Sequence, residues 1–395
     1  MATSAPVFQG SVRKSTARGA YDKWPVLALA SVLLFWYSTR AIHTLLDAHG
    51  DPYKVFGSFW ISGWAASHHL NPYGFYSLTW HVYPYKGGPL VYDVNLSPPC
   101  MLPVFQLLAR FPLRSCIIPW TFLSALLFVT GTTLLFIARR GEMQARQILW
   151  LLLSTLVIDT LWFGQDYALL FLLACFIWLL TCSERMTAAG VCIGILLAIK
   201  PNLVLWPALL FFAGYKKPAI VAGMTAAALT LLAALIYGPG IYRQWLNAHS
   251  LVPHHIFTTD ISFVGIFTRL GHPAVGVGVV AAGSLILLLF VHRVRPLMVD
   301  VCGLALCAGI LCAPLAWHLY VLFAAPFFAA RRWARVDTLA AILMALPPLL
   351  EGLVLGHSRI GELAVAMPHL TGVLIMTASF LKPSLSFRRI AYPSS

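Results

Sequence analysis

The chain has 395 residues, of which 59 % are hydrophobic and only 10 % are charged. Soluble domains average about 45–50 % apolar and about 25 % charged residues, so this composition excludes a water-soluble globular domain and predicts an integral membrane protein. The formal net charge of +14 would suit a nucleic-acid-binding protein, but the positions of the basic residues argue against that class.

Twelve apolar runs are close to the length of about 20 residues that a membrane-spanning helix needs. They lie at roughly 24–46, 116–138, 147–163, 166–182, 187–200, 201–214, 218–237, 274–292, 296–313, 315–330, 336–355 and 363–381. Several are short, and Pro201 alone separates the fifth run from the sixth. The pattern predicts an all-α polytopic bundle of about twelve spans, with one domain over 24–381 and basic tails at 1–23 and 382–395. No secretory signal peptide is expected, because the first 23 residues are polar and basic.

Lysine and arginine are concentrated in alternate loops between these runs. If the N-terminus is cytoplasmic, 18 of the 27 basic residues fall in the tails and short turns on the cytoplasmic side. This distribution follows the positive-inside rule and predicts a multi-pass protein of the cell (inner or plasma) membrane with both termini in the cytoplasm. It also explains the net charge without a nucleic-acid partner, so the expected surroundings are membrane lipid.

Two long loops, 47–115 and 238–273, then lie on the extracytoplasmic side. Within the first, the apolar but proline-broken segment 96–115 is predicted to form a helix in the outer membrane interface rather than a span. Cys100 and Cys116 fall in this loop, and the sequence leaves open whether they pair. Function concentrates on elaborated loops carried by a rigid scaffold, so we expect the active face to be extracytoplasmic.

The stretch HTLLDAHGDPYKVF, directly after the first apolar run, carries Asp47 and Asp51. The chain has only 13 acidic residues, so a carboxylate at this point is a candidate for proton transfer. The alternative is that both acids mark the solvated end of the first span. Neither spacing nor composition ranks one acid above the other.

Three short outer segments carry further polar candidates. In WFGQDYALL, Gln165 and Asp166 stand where a helix begins, so the choice is between an N-cap and a functional role. Lys200 ends a span at the outer boundary, where a lysine either snorkels to water or meets an anion. In CAPLAWHLYVLF, Trp317 and His318 stand at the outer end of a span, where an isolated histidine is more often interfacial than catalytic.

The second long loop contains Arg243, Asp260, Ser262 and Arg269. Its last part, DISFVGIFTRL, predicts a short amphipathic helix that aims Arg269 along the membrane interface. No spacing of histidine, cysteine and carboxylate in the sequence completes a metal-ligand set, so we expect neither a metal nor another cofactor.

The order of these motifs resembles glycosyltransferase family 87 of the GT-C superfamily, the polyprenol-phosphate-mannose-dependent α-mannosyltransferases. The resemblance covers roughly residues 24–335 and rests on an acid after the first span followed by VF…W and NPY, then DVNLSPP, FGQDYALL, AGVCIGILLAIKPNLVLWPALLFF, DISFVGIFTRL and APLAWHLYVLFAAPF. It implies a GT-C-type helical fold and a hexosyltransferase active on the extracytoplasmic face. The implied reaction moves a sugar such as mannose, with inversion, from a polyprenyl-phosphate donor to a hydroxyl of a glycolipid or glycan acceptor.

The resemblance also assigns roles to the candidate residues. Counting back from VF and NPY, the family's general base matches Asp51, whereas Asp47 has no such match. A leaving lipid phosphate needs cations or hydrogen-bond donors, and the candidates are Lys200, Arg269, His318 and Arg243. The predicted substrate-binding residues are Asn95, Gln165, Asp166, Asp260, Ser262 and Trp317.

The chain departs from the family pattern at two places. Asp260-Ile261-Ser262 stands where the family commonly has Asn-Gln-Ser, and His318 is followed by Leu319 rather than by a second histidine. Both departures concern the identity of the sugar and the acceptor more than the type of reaction.

The main alternative is a transporter or flippase, since twelve spans with both termini inside is also a transporter pattern. Transporters tend to show internal repeats and charged residues near the middle of the bilayer. No convincing repeat relates the two halves of this sequence, and most of its acids fall near the ends of spans. A lipid-linked polymer ligase is a second alternative, with the same donor chemistry and a long acceptor.

Overall fold

The computed structural model describes residues 23–46, 54–81, 91–92, 94–251, 259–347 and 359–382. These residues are almost entirely helical, which confirms the predicted all-α class. The described part of the chain has one small β-sheet, an antiparallel pair of two-residue strands, β1 (Trp80–His81) and β2 (Val91–Tyr92).

The helices follow one another with short connections. They are α1 (Trp24–Leu46), α2 (Lys54–Ser67), α3 (Leu102–Leu108), α4 (Leu113–Ala138), α5 (Ala145–Leu153), α6 (Thr155–Phe163), α7 (Tyr167–Cys182), α8 (Met186–Ile199), α9 (Leu205–Phe212), α10 (Lys216–Tyr237), α11 (Gly240–Leu251), α12 (Phe263–Arg269), α13 (Pro273–Val294), α14 (Met298–Leu311), α15 (Val321–Ala329), α16 (Arg335–Met344) and α17 (Arg359–Leu381). Short 3₁₀ turns at Ser77–Thr79, Pro99–Met101, Pro201–Leu203 and His318–Tyr320 complete the list.

Each of the twelve apolar runs contains a helix. Six helical units of the described chain are long and apolar enough to cross a bilayer by length and composition: α1, α4, α5 with α6, α10, α13 and residues Leu363–Leu381 of α17. Six more apolar helical units have 10–17 residues, among them α7, α8 and α14. The membrane character is therefore clear from the helices, whereas the number of twelve spans stays a prediction.

The centre of the bundle is formed by helices that are apolar on every side. All fourteen residues of α14 are buried, as expected for a helix without a polar face. By contrast, only 17 % of the most apolar 18-residue stretch of α10 is buried inside the protein, and the share for α13 is 11 %. These two helices therefore offer the surface that lipid would cover. Gly190 and Gly194 let α8 and α10 pack closely, because a Cβ on Gly190 would lie 2.8 Å from the Pro218 carbonyl oxygen.

The segment 96–115 forms the short helix α3 after a 3₁₀ turn, and α3 is too short to span a bilayer. It packs against α2, where the rings of Phe59 and Phe105 stack with centroids 4.7 Å apart. Cys100 and Cys116 are both free. Their thiols donate instead to the carbonyls of Ala198 and Leu108, at 3.2 and 3.3 Å.

The antiparallel connections place the turns at two ends of the bundle. One, the Lys200 end, comprises the turns 164–166, 200–203 and 312–320 with residues 259–262. The other, the Asp300 end, comprises the turns 139–144, 183–185, 295–297 and 331–334, together with Asp300 in the first turn of α14. Most of the predicted site residues fall at the Lys200 end.

Candidate active site

Lys200 stands where α8 stops. Its extended backbone (φ −131°, ψ 79°) and the following Pro201 end the helix and start a 3₁₀ turn. The ammonium lies 4.7 Å from the centre of the Tyr167 ring and 5.4 Å from that of Tyr320, and the two rings meet edge to face at 5.6 Å. Two cation–π contacts therefore hold the charge between α7 and the 312–320 turn. Sequence reasoning selected the lysine but missed both tyrosines.

Asp166 occupies the N-cap position of α7, yet its side chain makes no capping hydrogen bond. The interpretation of Asp166 as an ordinary cap is therefore wrong. The residue is only 2 % exposed, and neither carboxylate oxygen has a hydrogen-bond partner among the described residues. Buried polar groups are nearly always hydrogen-bonded in folded proteins, so this carboxylate is a candidate for contact with a ligand.

Cys100 connects the first long loop to this region. Burial is the main reason why the pKa of its thiol is raised to about 11. The charge of Asp166 adds to this rise, and the charge of Lys200 opposes it. The thiol is thus protonated at neutral pH and serves as a packed donor to the Ala198 carbonyl rather than as a nucleophile.

Gln165 and Asn95 are also buried, at 3 % and 1 % exposure. The Asn95 side-chain oxygen accepts a hydrogen bond from the Ser97 backbone N–H at 2.8 Å, which fixes the turn that leads into α3. Its amide nitrogen has no hydrogen-bond partner among the described residues. It is therefore another buried donor available to a ligand.

The start of α2 packs against the 164–166 turn. Gly164 has a positive φ of 67°, and a Cβ there would lie 2.7 Å from the Cβ of Phe56. The Trp120 indole N–H donates to the Gly164 carbonyl at 3.0 Å. Glycine is thus required both for the turn and for the close approach of α2. The predicted base Asp51, like Asp47, lies outside the described residues.

Asp260 joins the second long loop to the 312–320 turn. One of its carboxylate oxygens accepts backbone N–H hydrogen bonds from Ser262 at 2.9 Å and from Ala316 at 3.0 Å. The Ile261 N–H donates to the Ala316 carbonyl at 2.9 Å. Burial raises the pKa of Asp260, and the two backbone hydrogen bonds oppose that rise. This oxygen thus holds the two loops together, whereas the second carboxylate oxygen is buried and has no hydrogen-bond partner among the described residues.

Ser262 and Arg269 complete the same structure. The Ser262 hydroxyl accepts from the Gly265 N–H at 2.9 Å and caps α12. Arg269 is only 4 % exposed, and its guanidinium donates to the Asp260 carbonyl at 2.5 Å. The expectation that Arg269 is aimed along the membrane interface is therefore wrong: its side chain turns inward and holds the start of its own helix.

His318 is buried against two residues that are distant in sequence. Its Nε2 lies 3.2 Å from a carboxylate oxygen of Asp159 on α6, and its ring centre lies 5.0 Å from that of His369 on α17. His318 and His369 are each 3 % exposed. The expectation of an isolated interfacial histidine is wrong, because the ring belongs to a buried polar cluster. No local sequence signal points to Asp159 or His369 as its neighbours.

The family model of glycosyltransferase family 87 matches residues 95–314, which is more than half of the chain. This chain belongs to glycosyltransferase family 87. A comparison with curated proteins returned no match. The resemblance drawn from the motifs is thereby confirmed, and the protein is a membrane glycosyltransferase that uses a sugar donor and an acceptor. The matched region includes Asp166, Lys200 and Asp260 and stops just before Trp317 and His318.

Two predicted residues of this family 87 glycosyltransferase have different surroundings from the rest. Arg243 is exposed on α11, whereas Trp245 and His249 of the same helix contact the Leu96 carbonyl through their ring nitrogens, at 2.9 and 3.2 Å. Trp317 forms a backbone bridge with Asp260. The structure therefore places Trp317 beside Asp260, whereas the Arg243 side chain is exposed.

The described residues of the family 87 glycosyltransferase contain no group of three or more His, Cys, Asp or Glu side chains that is arranged to hold a metal ion. The charged and imidazole side chains described above at and beside the Lys200 end are the Lys200 ammonium, the Arg269 guanidinium, the carboxylates of Asp159, Asp166 and Asp260, and the imidazoles of His318 and His369. Such a set favours charge stabilisation and proton transfer by the protein's own groups.

Proposed function

We propose that this family 87 glycosyltransferase transfers a hexose such as mannose from a polyprenyl-phosphate donor to a hydroxyl of a glycolipid or glycan acceptor. The reaction inverts the anomeric carbon and takes place on the extracytoplasmic face of the cell membrane. Both termini of the chain are cytoplasmic in this proposal. The Lys200 end of the bundle is the active site.

The position of Lys200 is the observation that carries the proposal. A polyprenyl phosphate gains negative charge as its bond to the sugar breaks, so the site must present a cation at that point. The Lys200 ammonium lies at a helix end, between two tyrosine rings, and no carboxylate of the described residues is within 4.0 Å of it. A partly buried cation that has no ion-pair partner in the described part of the chain suits a phosphate ligand.

The general base of the proposal is Asp51. The acceptor hydroxyl must lose its proton as it attacks, and one carboxylate within reach is enough for an inverting transfer. Asp51 stands three residues before α2 in the sequence, and three residues of chain reach at most about 11 Å. The first turn of α2 contacts the 164–166 turn through Phe56 and Gly164. This contact supports a base next to the cluster.

The sugar and acceptor hydroxyls need polar partners in the same region. Asp166 and Asn95 each offer a buried polar group that has no hydrogen-bond partner among the described residues. Gln165 is buried directly beside Asp166. We assign these three residues to the substrate hydroxyls, His318 and Lys200 to the phosphate, and Asp260, Ser262 and Arg269 to the scaffold that holds the 312–320 turn.

The test is to incubate the purified protein with a polyprenyl-phosphate hexose and a glycolipid acceptor, and to measure both polyprenyl phosphate and the new glycosidic linkage. The expected result is equimolar release of polyprenyl phosphate and an inverted anomeric configuration in the product. Passage of the intact donor across a proteoliposome membrane with no bond cleavage would contradict the proposal and favour a flippase. Retention of configuration would contradict the single-displacement mechanism.

A further inference from the structure

The two ring nitrogens of His318 have different environments. Nε2 lies 3.2 Å from the Asp159 carboxylate, whereas Nδ1 is buried and has no hydrogen-bond partner among the described residues. Buried polar atoms are nearly always hydrogen-bonded, and a bound substrate would supply a hydrogen bond to Nδ1. Nδ1 is therefore the atom of this ring that is available to substrate.

We propose that Asp159 is a positioning residue for sugar transfer, which fixes the orientation and tautomer of His318 so that Nδ1 is presented to the leaving phosphate. This inference rests on the proposed function and adds to it a residue that acts through another side chain. Asp159 lies in the second turn of α6, and His318 begins the 3₁₀ turn before α15.

The surroundings of the ring fix its position. His318 is 4 % exposed at the side chain and Asp159 is 20 % exposed. Asp159 contacts the ring at Nε2, and the His369 ring of α17 packs at 5.0 Å with an interplanar angle of 58°. The His318 backbone N–H also donates to the Thr259 carbonyl at 3.1 Å. Three separate elements therefore determine where the imidazole lies.

The charge of Asp159 gives this contact a chemical consequence. When His318 carries protons on both nitrogens, it forms a neutral ion pair with Asp159, and its Nδ1–H is a charge-assisted donor for a phosphate oxygen. An asparagine at position 159 cannot balance that charge. Its amide can also donate to Nε2, which favours the neutral tautomer with the proton on Nδ1, a donor to phosphate without charge assistance.

A purely structural role for Asp159 makes a different prediction. If the contact only tied α6 to the 312–320 turn, its loss would lower the free energy of unfolding and leave the turnover number of the folded protein unchanged. A positioning role lowers the turnover number while the Michaelis constant for the donor stays nearly constant, because the interaction acts on the charge that develops in the transition state.

The experiment compares the purified wild-type protein with Asp159→Asn, Asp159→Glu and the control Asp337→Asn. Asp337 is a matched control, because its partly exposed carboxylate caps α16 at the opposite end, and asparagine retains the capping oxygen. We expect Asp159→Asn to lower the turnover number about 100-fold, with a change of less than about threefold in the donor Michaelis constant. Asp159→Glu is expected to recover activity to within about tenfold of wild type, and Asp337→Asn to match wild type.

Nitrogen-15 NMR spectra of protein with labelled histidine report which ring nitrogen of His318 is protonated, and this measurement does not depend on enzymatic activity. We expect the His318 signals, assigned by comparison with His318→Gln, to show Nε2 protonated in the wild type and to change tautomer in Asp159→Asn. The inference is overturned if folded Asp159→Asn keeps wild-type turnover, if folded Asp159→Glu is as slow as Asp159→Asn, or if the His318 signals do not change. If instead the wild type releases no polyprenyl phosphate, the proposed function fails and the role of Asp159 in transfer fails with it, whereas the spectra still decide whether Asp159 sets the tautomer of His318.

Discussion

The two ends of the bundle use their polar side chains differently. At the Asp300 end, Arg331 pairs with Asp300 at 3.0 Å and lies 5.0 Å from the Phe380 ring centre. Lys23 donates to the Gly141 carbonyl at 3.0 Å, and Arg146 donates to the Trp333 carbonyl at 2.9 Å. The charges of Arg331, Lys23 and Arg146 are thus bound by groups of the protein itself.

At the Lys200 end, several buried polar atoms have no hydrogen-bond partner among the described residues. They include both oxygens of Asp166, Nδ1 of His318 and the amide nitrogen of Asn95. Leaving such groups unpaired costs about 1–3 kcal/mol each, so a fold that keeps them needs a use for them. The contrast supports the proposal that the Lys200 end receives substrate, while the contacts at the Asp300 end hold the helices together.

The largest effect on stability is expected from Arg331→Met. The substitution removes the guanidinium that lies 3.0 Å from the Asp300 carboxylate, and this carboxylate is only 3 % exposed. Breaking a buried ion pair in this way costs about 3–5 kcal/mol. Denaturant titration in detergent micelles measures that loss, and activity per folded molecule is expected to match wild type. A stable but inactive variant would contradict the division of roles between the ends.

Lys200→Met is expected to show the opposite pattern. Methionine retains much of the packing between the tyrosine rings but removes the cation, so we expect kcat/KM for the donor to fall about 100-fold, or about 2.7 kcal/mol. The melting temperature should change by only a few degrees. Lys216→Met is the matched control, because Lys216 makes a comparable contact 5.7 Å from the Phe211 ring centre at the other end. Equal losses in both variants would contradict the assignment of Lys200.

Gly265→Ala tests the scaffold beneath the 312–320 turn. A Cβ at this position would collide with the Asp260 carboxylate, so we expect a loss of about 1–3 kcal/mol in unfolding free energy. In Gly278→Ala, in α13, the added Cβ would have no atom within 4 Å. We expect this variant to leave the free energy of unfolding unchanged or to raise it by up to about 1 kcal/mol. Thermal unfolding of the two variants measures the difference. Similar stabilities would show that Asp260 is not held as tightly as its contacts indicate.

Asp260→Asn is expected to have the smallest effect, below about 1 kcal/mol, since asparagine keeps the oxygen that accepts both backbone hydrogen bonds. Because burial raises the pKa of Asp260, its contribution to stability is present below the ordinary aspartate pKa and is lost as the pH rises through the raised value. The asparagine variant lacks this dependence. Its unfolding midpoint should therefore vary less over the acid range than that of wild type. Identical pH profiles would contradict the raised pKa.

Local pattern predicted much of the fold but not the pairing within the site. Each apolar run contains a helix, because hydrophobicity and length are properties of a contiguous segment. The pairing of Asp159 with His318 joins residues 159 positions apart, and the Asp260–Ala316 bond spans 56 positions. No periodicity encodes such contacts. Arg269 was misplaced for the same reason: an amphipathic pattern does not reveal that the side chain folds back to the Asp260 carbonyl.

The most direct test of the central claim is the single-turnover rate of sugar transfer from a polyprenyl-phosphate hexose by wild type, Asp51→Asn and Asp47→Asn. The account predicts that Asp51→Asn inserts in the membrane and binds donor but transfers at least about 1,000 times more slowly, because the acceptor hydroxyl loses its base. Asp47→Asn should stay within a few-fold of wild type. Transfer by Asp51→Asn at near the wild-type rate would contradict the account, and complete loss in Asp47→Asn alone would move the base to Asp47.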